Sequence, residues 1–111
     1  MKADRFVVSI SIKADQDLRT LADYVARERS IDDAVELVDS VRLKVDTLEQ
    51  FPNRGSIPEE VRALGDNDVR QIFVGPYRIF TLVGDRHVTI FLIADGRRDM
   101  VALLTQRLTG V

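Results

Sequence analysis

The residues with the most chemistry in this chain are arginines. In the stretch FLIADGRRDM, residues 91–100, a run of apolar, strand-like residues breaks at Asp95-Gly96 into Arg97 and Arg98, followed by Asp99. A third arginine, Arg78, stands inside another strand-like run, YRIFTLV. A guanidinium is a planar, permanently charged fork that suits carboxylates and phosphates. These three can staple the chain to its own carboxylates, with Asp95, Asp99, Glu59 and Glu60 as candidates, or they can face an anionic partner. The charge distribution leaves both readings open. Residues 1–69 carry 10 basic against 15 acidic side chains, whereas residues 70–111 carry 6 against 3, and all six are arginine.

Other chemistry has few parts to work with. His87 is the sole histidine and falls at a hairpin tip, where a solvated turn residue is the ordinary reading, and cysteine is absent. No metal site, no glycine-rich phosphate loop opening a helix and no serine in a nucleophile elbow can be read from the sequence. No cofactor is expected. Two classes remain: a binding protein, or a nuclease that stabilises charge with arginine and lysine and moves protons with a tyrosine or a carboxylate.

The elements that must position these arginines follow from periodicity. With 111 residues, 45% apolar and 31% charged, the chain is expected to form one domain over 1–111, large enough to fold without disulfides or metal. The opening MKADRFVVSI lacks the long apolar block of a secretion signal, and the longest apolar runs span only a few residues. A cytoplasmic location with no membrane partner is the expectation. RFVVSISI, residues 5–12, alternates with period two and reads as a strand with Phe6, Val8, Ile10 and Ile12 on one face. From Asp15 the period becomes helical through Leu18, Leu21, Ala22, Val25 and Ala26. Ser30 caps a second helix, with Asp32 and Asp33 in its first turn and an apolar stripe of Ala34, Leu37, Val38, Val41, Val45 and Leu48. The pair reads as an antiparallel helical hairpin that must lie on a sheet. A turn-rich connection, residues 51–68, leads to three strands beginning at Val69, Tyr77 and Val88. Gly75-Pro76 makes the first turn, and either Gly84-Asp85 or Asp85-Arg86 the second. A short helix closes the chain. The fold class is therefore α+β, a small antiparallel sheet backed by an N-terminal helical hairpin.

An uninterrupted register sorts the strand residues into two faces. One collects Ile72, Val74, Tyr77, Ile79, Thr81, Val83, Val88, Ile90, Leu92 and Ala94, and the hairpin covers it. The other collects Gln71, Phe73, Arg78, Phe80, Leu82, Thr89, Phe91 and Ile93, which the short last helix is too small to hide. An open apolar face of that kind marks a site for another chain, and Arg78, Arg97 and Arg98 are expected to gather beside it.

The order of these segments resembles the ParE/RelE superfamily of bacterial type II toxins over almost the whole chain. The most specific elements are the YRI strand, Tyr77 to Ile79, and the GRRD close, Gly96 to Asp99, followed by a leucine-rich LL..RL. The resemblance implies a toxin that arrests growth, stabilises plasmids and is neutralised by a cognate antitoxin in a hetero-oligomer, the antitoxin's tail wrapping over the open sheet face. It implies no direct sequence-specific DNA binding by the toxin. Antitoxin-binding residues are then expected at Phe73, Phe80, Leu82, Phe91 and Ile93 as apolar anchors and at Arg78, Arg97 and Arg98 as partners for carboxylates.

Two branches of the superfamily imply different activities. The RelE-like branch cuts messenger RNA in the ribosome. Its residues would map onto Arg78 and Arg98, with a tyrosine six positions after the latter. Leu104 stands there and can neither give nor take a proton, and the lysines that crowd such a site are reduced to Lys2, Lys13 and Lys44. GRRD with a long leucine-rich close is similar to the ParE-like branch, which poisons DNA gyrase without being a nuclease, although Thr81 replaces a second tyrosine found in many members. The expected function is a ParE-like gyrase inhibitor. The alternatives are a RelE-like endoribonuclease and a degenerate, non-toxic member that only binds its antitoxin.

Overall fold

A computed structural model of the chain describes residues 5–62, 65 and 68–109. The elements run β1 (Val7–Ile10), α1 (Ile12–Glu28), α2 (Ile31–Asp46), a single 3-10 turn (Thr47–Glu49), α3 (Glu59–Arg62), β2 (Val69–Val74), β3 (Tyr77–Val83), β4 (His87–Asp95) and α4 (Met100–Leu108). The strands form one sheet in the order β1-β4-β3-β2. β1 runs parallel to β4, and the other pairings are antiparallel.

The helix starts follow from their caps. The Ser11 hydroxyl accepts from the Ala14 N–H at 3.1 Å, Ser30 from Asp33 at 3.0 Å, and the Asp99 carboxylate from Ala102 at 3.1 Å. Ser11 ends the first strand earlier than its alternation suggests, so Ile10 and Ile12 lie exposed instead of sharing a face with Phe6 and Val8. The hairpin behaves as its stripes require. Ala14, Leu18 and Val25 of α1 and Ala34, Leu37 and Val41 of α2 are buried on Ile72, Ile79, Val88 and Ile90 of the sheet. Both β-turns use two-residue loops. Val74 pairs with Tyr77 across Gly75-Pro76, and beyond the Val83–Val88 pair the Gly84 N–H donates to the His87 carbonyl at 2.8 Å, leaving Asp85-Arg86 as the second loop with Arg86 at φ 57°.

The register of β4 departs from the uninterrupted one. Thr81 faces Ile90 whereas Phe80 faces Leu92, so β4 carries one extra residue at a bulge. One inserted residue sends every side chain beyond it to the opposite face. Ile93 therefore joins Ile72 and Ile79 under the helical hairpin, and Leu92 and Ala94 move to the second face.

That second face is closed, contrary to the expectation of an open phenylalanine surface. Phe80 and Phe91 pack with Val61, Val69, Leu92, Ala94, Met100 and Leu104, leaving Phe80 0% and Phe91 9% exposed. Their rings stand 6.3 Å apart at 48°. The cover comes from α3 and α4 together. Adding the α3 segment, read in the sequence only as connection, gives the last helix the help it needs. Phe73 at 51% and Leu82 at 41% are the apolar residues of this face that remain exposed.

Candidate functional site

The arginines divide between two environments. Arg78 lies on the second face of β3 with its guanidinium 4.8 Å from the Phe80 ring centroid. Its Nη1 and Nη2 donate to the two carboxylate oxygens of Glu60, each at 2.9 Å, and its Nε donates to Gln71 Oε1 at 2.9 Å. The side chain is only 12% exposed. The fork is thus filled from within the chain by α3 and β2. Those Arg78 hydrogen bonds hold the Glu60 carboxyl below its ordinary range, outweighing the burial that pushes it up.

Arg97 and Arg98 leave β4 on the side of the helical hairpin. The turn that carries them is tied to the neighbouring β-turn by the Gly96 N–H, which donates to the Pro76 carbonyl at 2.8 Å. A Cβ at Gly96 would sit 3.1 Å from that carbonyl oxygen and 3.2 Å from Arg78 Cδ, so the turn and the β3 arginine approach closely back to back. Arg97 folds back on Asp95. Its backbone N–H, Nε and Nη2 donate to the two carboxylate oxygens at 2.9, 3.0 and 2.8 Å. The Arg97 guanidinium, then its backbone N–H, pull the Asp95 carboxyl down to about 2. Arg98 is exposed and makes no side-chain hydrogen bond or ion pair among the described residues.

Arg97 and Arg98 line a groove of about 590 Å³ whose other walls are Thr20, Leu21, Tyr24 and Val25 of α1, Arg29, Pro76, Tyr77 and Asp95. The chain's two tyrosines both line it. The expected gathering of three guanidiniums beside an apolar floor is therefore corrected: Arg78 is locked on one side of the sheet, and Arg97 and Arg98 belong to a groove on the other. The sheet's twofold alternation separates them. Of the carboxylates named as internal partners, Glu60 and Asp95 pair with arginines, and Asp99 caps α4 instead.

The remaining expected anchors sort by exposure. Phe73 and Leu82 are accessible, whereas Phe80, Phe91 and Ile93 are buried in the chain's own two cores. Leu104, at the position where the RelE-like pattern has a tyrosine, is buried in the second core. Tyr24 and Arg29 went unnoticed in the sequence, and Tyr77 was read only as strand and hairpin face, because periodicity counts a tyrosine as core and a lone arginine as surface. Only the fold brings both tyrosines to the turn that bears the paired arginines. His87 sits at the β4 start with its Nε2 3.0 Å from Ser9 Oγ, exposed. Among the described residues no group of three His, Cys, Asp or Glu side chains could hold a metal ion, and no helix is long and apolar enough to cross a membrane.

Residues 8–100 match the family described as ParE toxin of type II toxin-antitoxin system, parDE. Several solved structures share the fold. A chain of the chromosomal ParDE system from P. aeruginosa aligns with TM-score 0.70 and 20% identity, covering 84% of this chain and 98% of that one. A chain of the toxin-antitoxin complex RelBE2 from Mycobacterium tuberculosis aligns with TM-score 0.56 and 18% identity over 85% of this chain and 94% of that one. A mutant of the E. coli toxin RelE in the free state aligns with TM-score 0.61 and 12% identity over 96% of this chain and 98% of that one. No curated protein matches by sequence.

Proposed function

The chain belongs to the ParE toxin family of type II toxin–antitoxin systems, and from that premise we propose that it inhibits DNA gyrase by binding it and is held inactive by a cognate antitoxin. The family match over residues 8–100 carries this reading. Two features of the molecule favour binding over RNA cleavage. Arg78 has its donors committed to Glu60 and Gln71, so a phosphate would have to displace a bidentate carboxylate to reach it. Leu104 offers no proton and points into the second core, where a catalytic group could not reach a substrate.

The antitoxin meets the surface that stays open on the second face. The free edge of the sheet beyond β2 is blocked at Gln71, whose N–H and carbonyl pair with Ser56 at 2.8 and 3.1 Å. Phe73 lies exposed on the edge strand to one side of that block, and Leu82, on β3 opposite Val69, is exposed to the other side. These two are the anchors, replacing the buried Phe80, Phe91 and Ile93; of the expected arginines, the exposed Arg98 remains available to an antitoxin carboxylate, whereas Arg97 would first have to leave Asp95. Purified chain added to gyrase in a supercoiling assay should block supercoiling at micromolar concentration and lose that effect when antitoxin is added. Unimpaired supercoiling would refute the target. Codon-phased cuts in messenger RNA that vanish in Arg98→Ala, seen by primer extension from cells expressing the chain, would point to the endoribonuclease instead.

A further inference from the structure

The groove between α1 and the GRRD turn is not used by the proposed antitoxin anchors, and its composition differs from the rest of the surface. Both tyrosines of the chain and three arginines, Arg29, Arg97 and Arg98, line it against one carboxylate, Asp95. Its volume of about 590 Å³ lies within the range of small-ligand clefts. Leu21, Val25 and Pro76 add apolar lining. The rim is held in place rather than floppy. Asp95 fixes Arg97 through three hydrogen bonds, Gly96 is tied to Pro76, and the Arg98 N–H donates to the Asp95 carbonyl at 3.1 Å.

We propose that this groove binds a nucleotide unit without regard to sequence, its base against Tyr24 and Tyr77 and its phosphate at Arg98 and Arg29. Aromatic rings accept the π-face of any base, and guanidinium forks suit phosphate oxygens. Arg98 supplies an uncommitted positive charge, and the single exposed contact of Arg29 to Asp33, 3.2 Å, is weak enough to be exchanged. An acidic peptide fits less well, because Arg97 already has its carboxylate and the two rings would go unused. The same nucleotide chemistry can be presented by a single-stranded nucleic acid or by a free nucleoside triphosphate. This inference does not depend on which cellular target the toxin attacks.

Fluorescence anisotropy of the full chain with labelled oligothymidylate at about 50 mM salt tests it, because low salt preserves phosphate contacts. Saturable binding is expected. Tyr24→Ala and Arg98→Ala should each weaken it by roughly fivefold or more, the loss of one stacked base or one phosphate contact. Tyr24→Phe, which keeps the ring, should retain binding, and Arg42→Ala, an exposed charge on α2 outside the groove, should leave it unchanged. Arg98→Ala should also reduce the slope of log affinity against log salt by about 0.7. Competition by ATP would show that a free nucleotide suffices, whereas competition by unlabelled oligothymidylate alone would identify a strand as the source. Absence of saturable binding, an equal loss in Arg42→Ala, or displacement by polyglutamate as effective as by unlabelled oligothymidylate would each overturn the proposal.

Discussion

Asp17 of α1 and Arg107 of α4, 90 residues apart in sequence, form a bidentate pair with both contacts at 2.8 Å, and each also bonds the backbone of the β4 bulge. Asp17 Oδ2 accepts from the Ile93 N–H at 3.0 Å, and Arg107 Nη1 donates to the Phe91 carbonyl at 2.9 Å. β1 pairs with β4 only as far as Ile90, so backbone groups further along β4 need partners other than that strand. This pair supplies them at Phe91 and Ile93 and at the same time fastens the last helix to the first. The Asp17 hydrogen bonds raise the Arg107 pKa against the opposing effect of burial.

Arg107→Ala should therefore destabilise the protein by about 2 kcal/mol, since it removes charge-assisted hydrogen bonds and strands the Phe91 carbonyl and the Asp17 carboxylate. For a domain of this size that is a fall in Tm of roughly 10 °C. Asp17→Asn should cost less, because an amide oxygen can still accept from Ile93. In a double-mutant cycle the two losses should fall well short of adding. Additive losses in thermal unfolding would mean the two side chains do not act as one latch.

The bulge also marks the limit of what could be read from the sequence. Helical stripes such as Leu18, Leu21 and Val25, the Ser30 cap, and the Gly75-Pro76 turn announce themselves locally, and the hairpin-on-sheet architecture and the registers near both turns followed from them. Nothing local announces an extra residue at Phe91, since IFLIA is apolar on both faces and alternation cannot count it. The slip reassigns only Leu92, Ile93 and Ala94; the three phenylalanines lie on the face expected, where Phe73 is exposed and α3 and α4 hide Phe80 and Phe91. The closure by α3 was equally hidden, because PEEVR reads as a polar connection until Val61 is seen beneath Phe80. At the candidate site, the arginine pair of GRRD was visible as a chemical feature. That Arg78 would be claimed by Glu60, 18 residues earlier, required the tertiary fold.

Gly55 makes a sharper test of the edge block than any side chain. It sits at φ +95°, and a Cβ there would come 2.1 Å from the Gln71 carbonyl oxygen and 2.8 Å from Ile72 Cγ2. Gly55→Ala should cost more than about 2 kcal/mol, combining left-handed strain with the loss of the Ser56–Gln71 bridge. Gly75→Ala, at φ +54° with nothing within 4 Å of the added Cβ, should cost about 1 kcal/mol. Equal denaturation midpoints for the two variants would show that the loop is not pressed on the strand.

The Glu60–Arg78 pair predicts a pH dependence with a definite sign. The folded Glu60 carboxyl titrates below its ordinary value of 4.5. Its contribution is thus fully present above 4.5 and is lost as pH falls through the lower, folded value. Glu60→Gln should be less stable than the parent chain at pH about 7, and the gap should shrink toward pH about 3. Urea midpoints at the two pH values measure it. A gap that stays constant would assign the effect to packing rather than to charge.

Phe73 and Phe80 separate binding from folding on the same face. Phe80 is sealed between β2, α3 and α4, so Phe80→Ala opens a cavity and should lower stability by about 3–5 kcal/mol. Its effect on antitoxin affinity should follow from the loss of folded chain. Phe73 is half exposed on the edge strand and contributes little to either core. Phe73→Ala should leave Tm nearly unchanged yet weaken the antitoxin complex by about 2 kcal/mol or more, the usual cost of removing an aromatic anchor. Calorimetric titration beside thermal unfolding separates the two effects. A Phe73→Ala chain that binds antitoxin normally would move the docking surface away from this edge, toward Arg98, whose replacement should otherwise cost less because it is exposed at the rim.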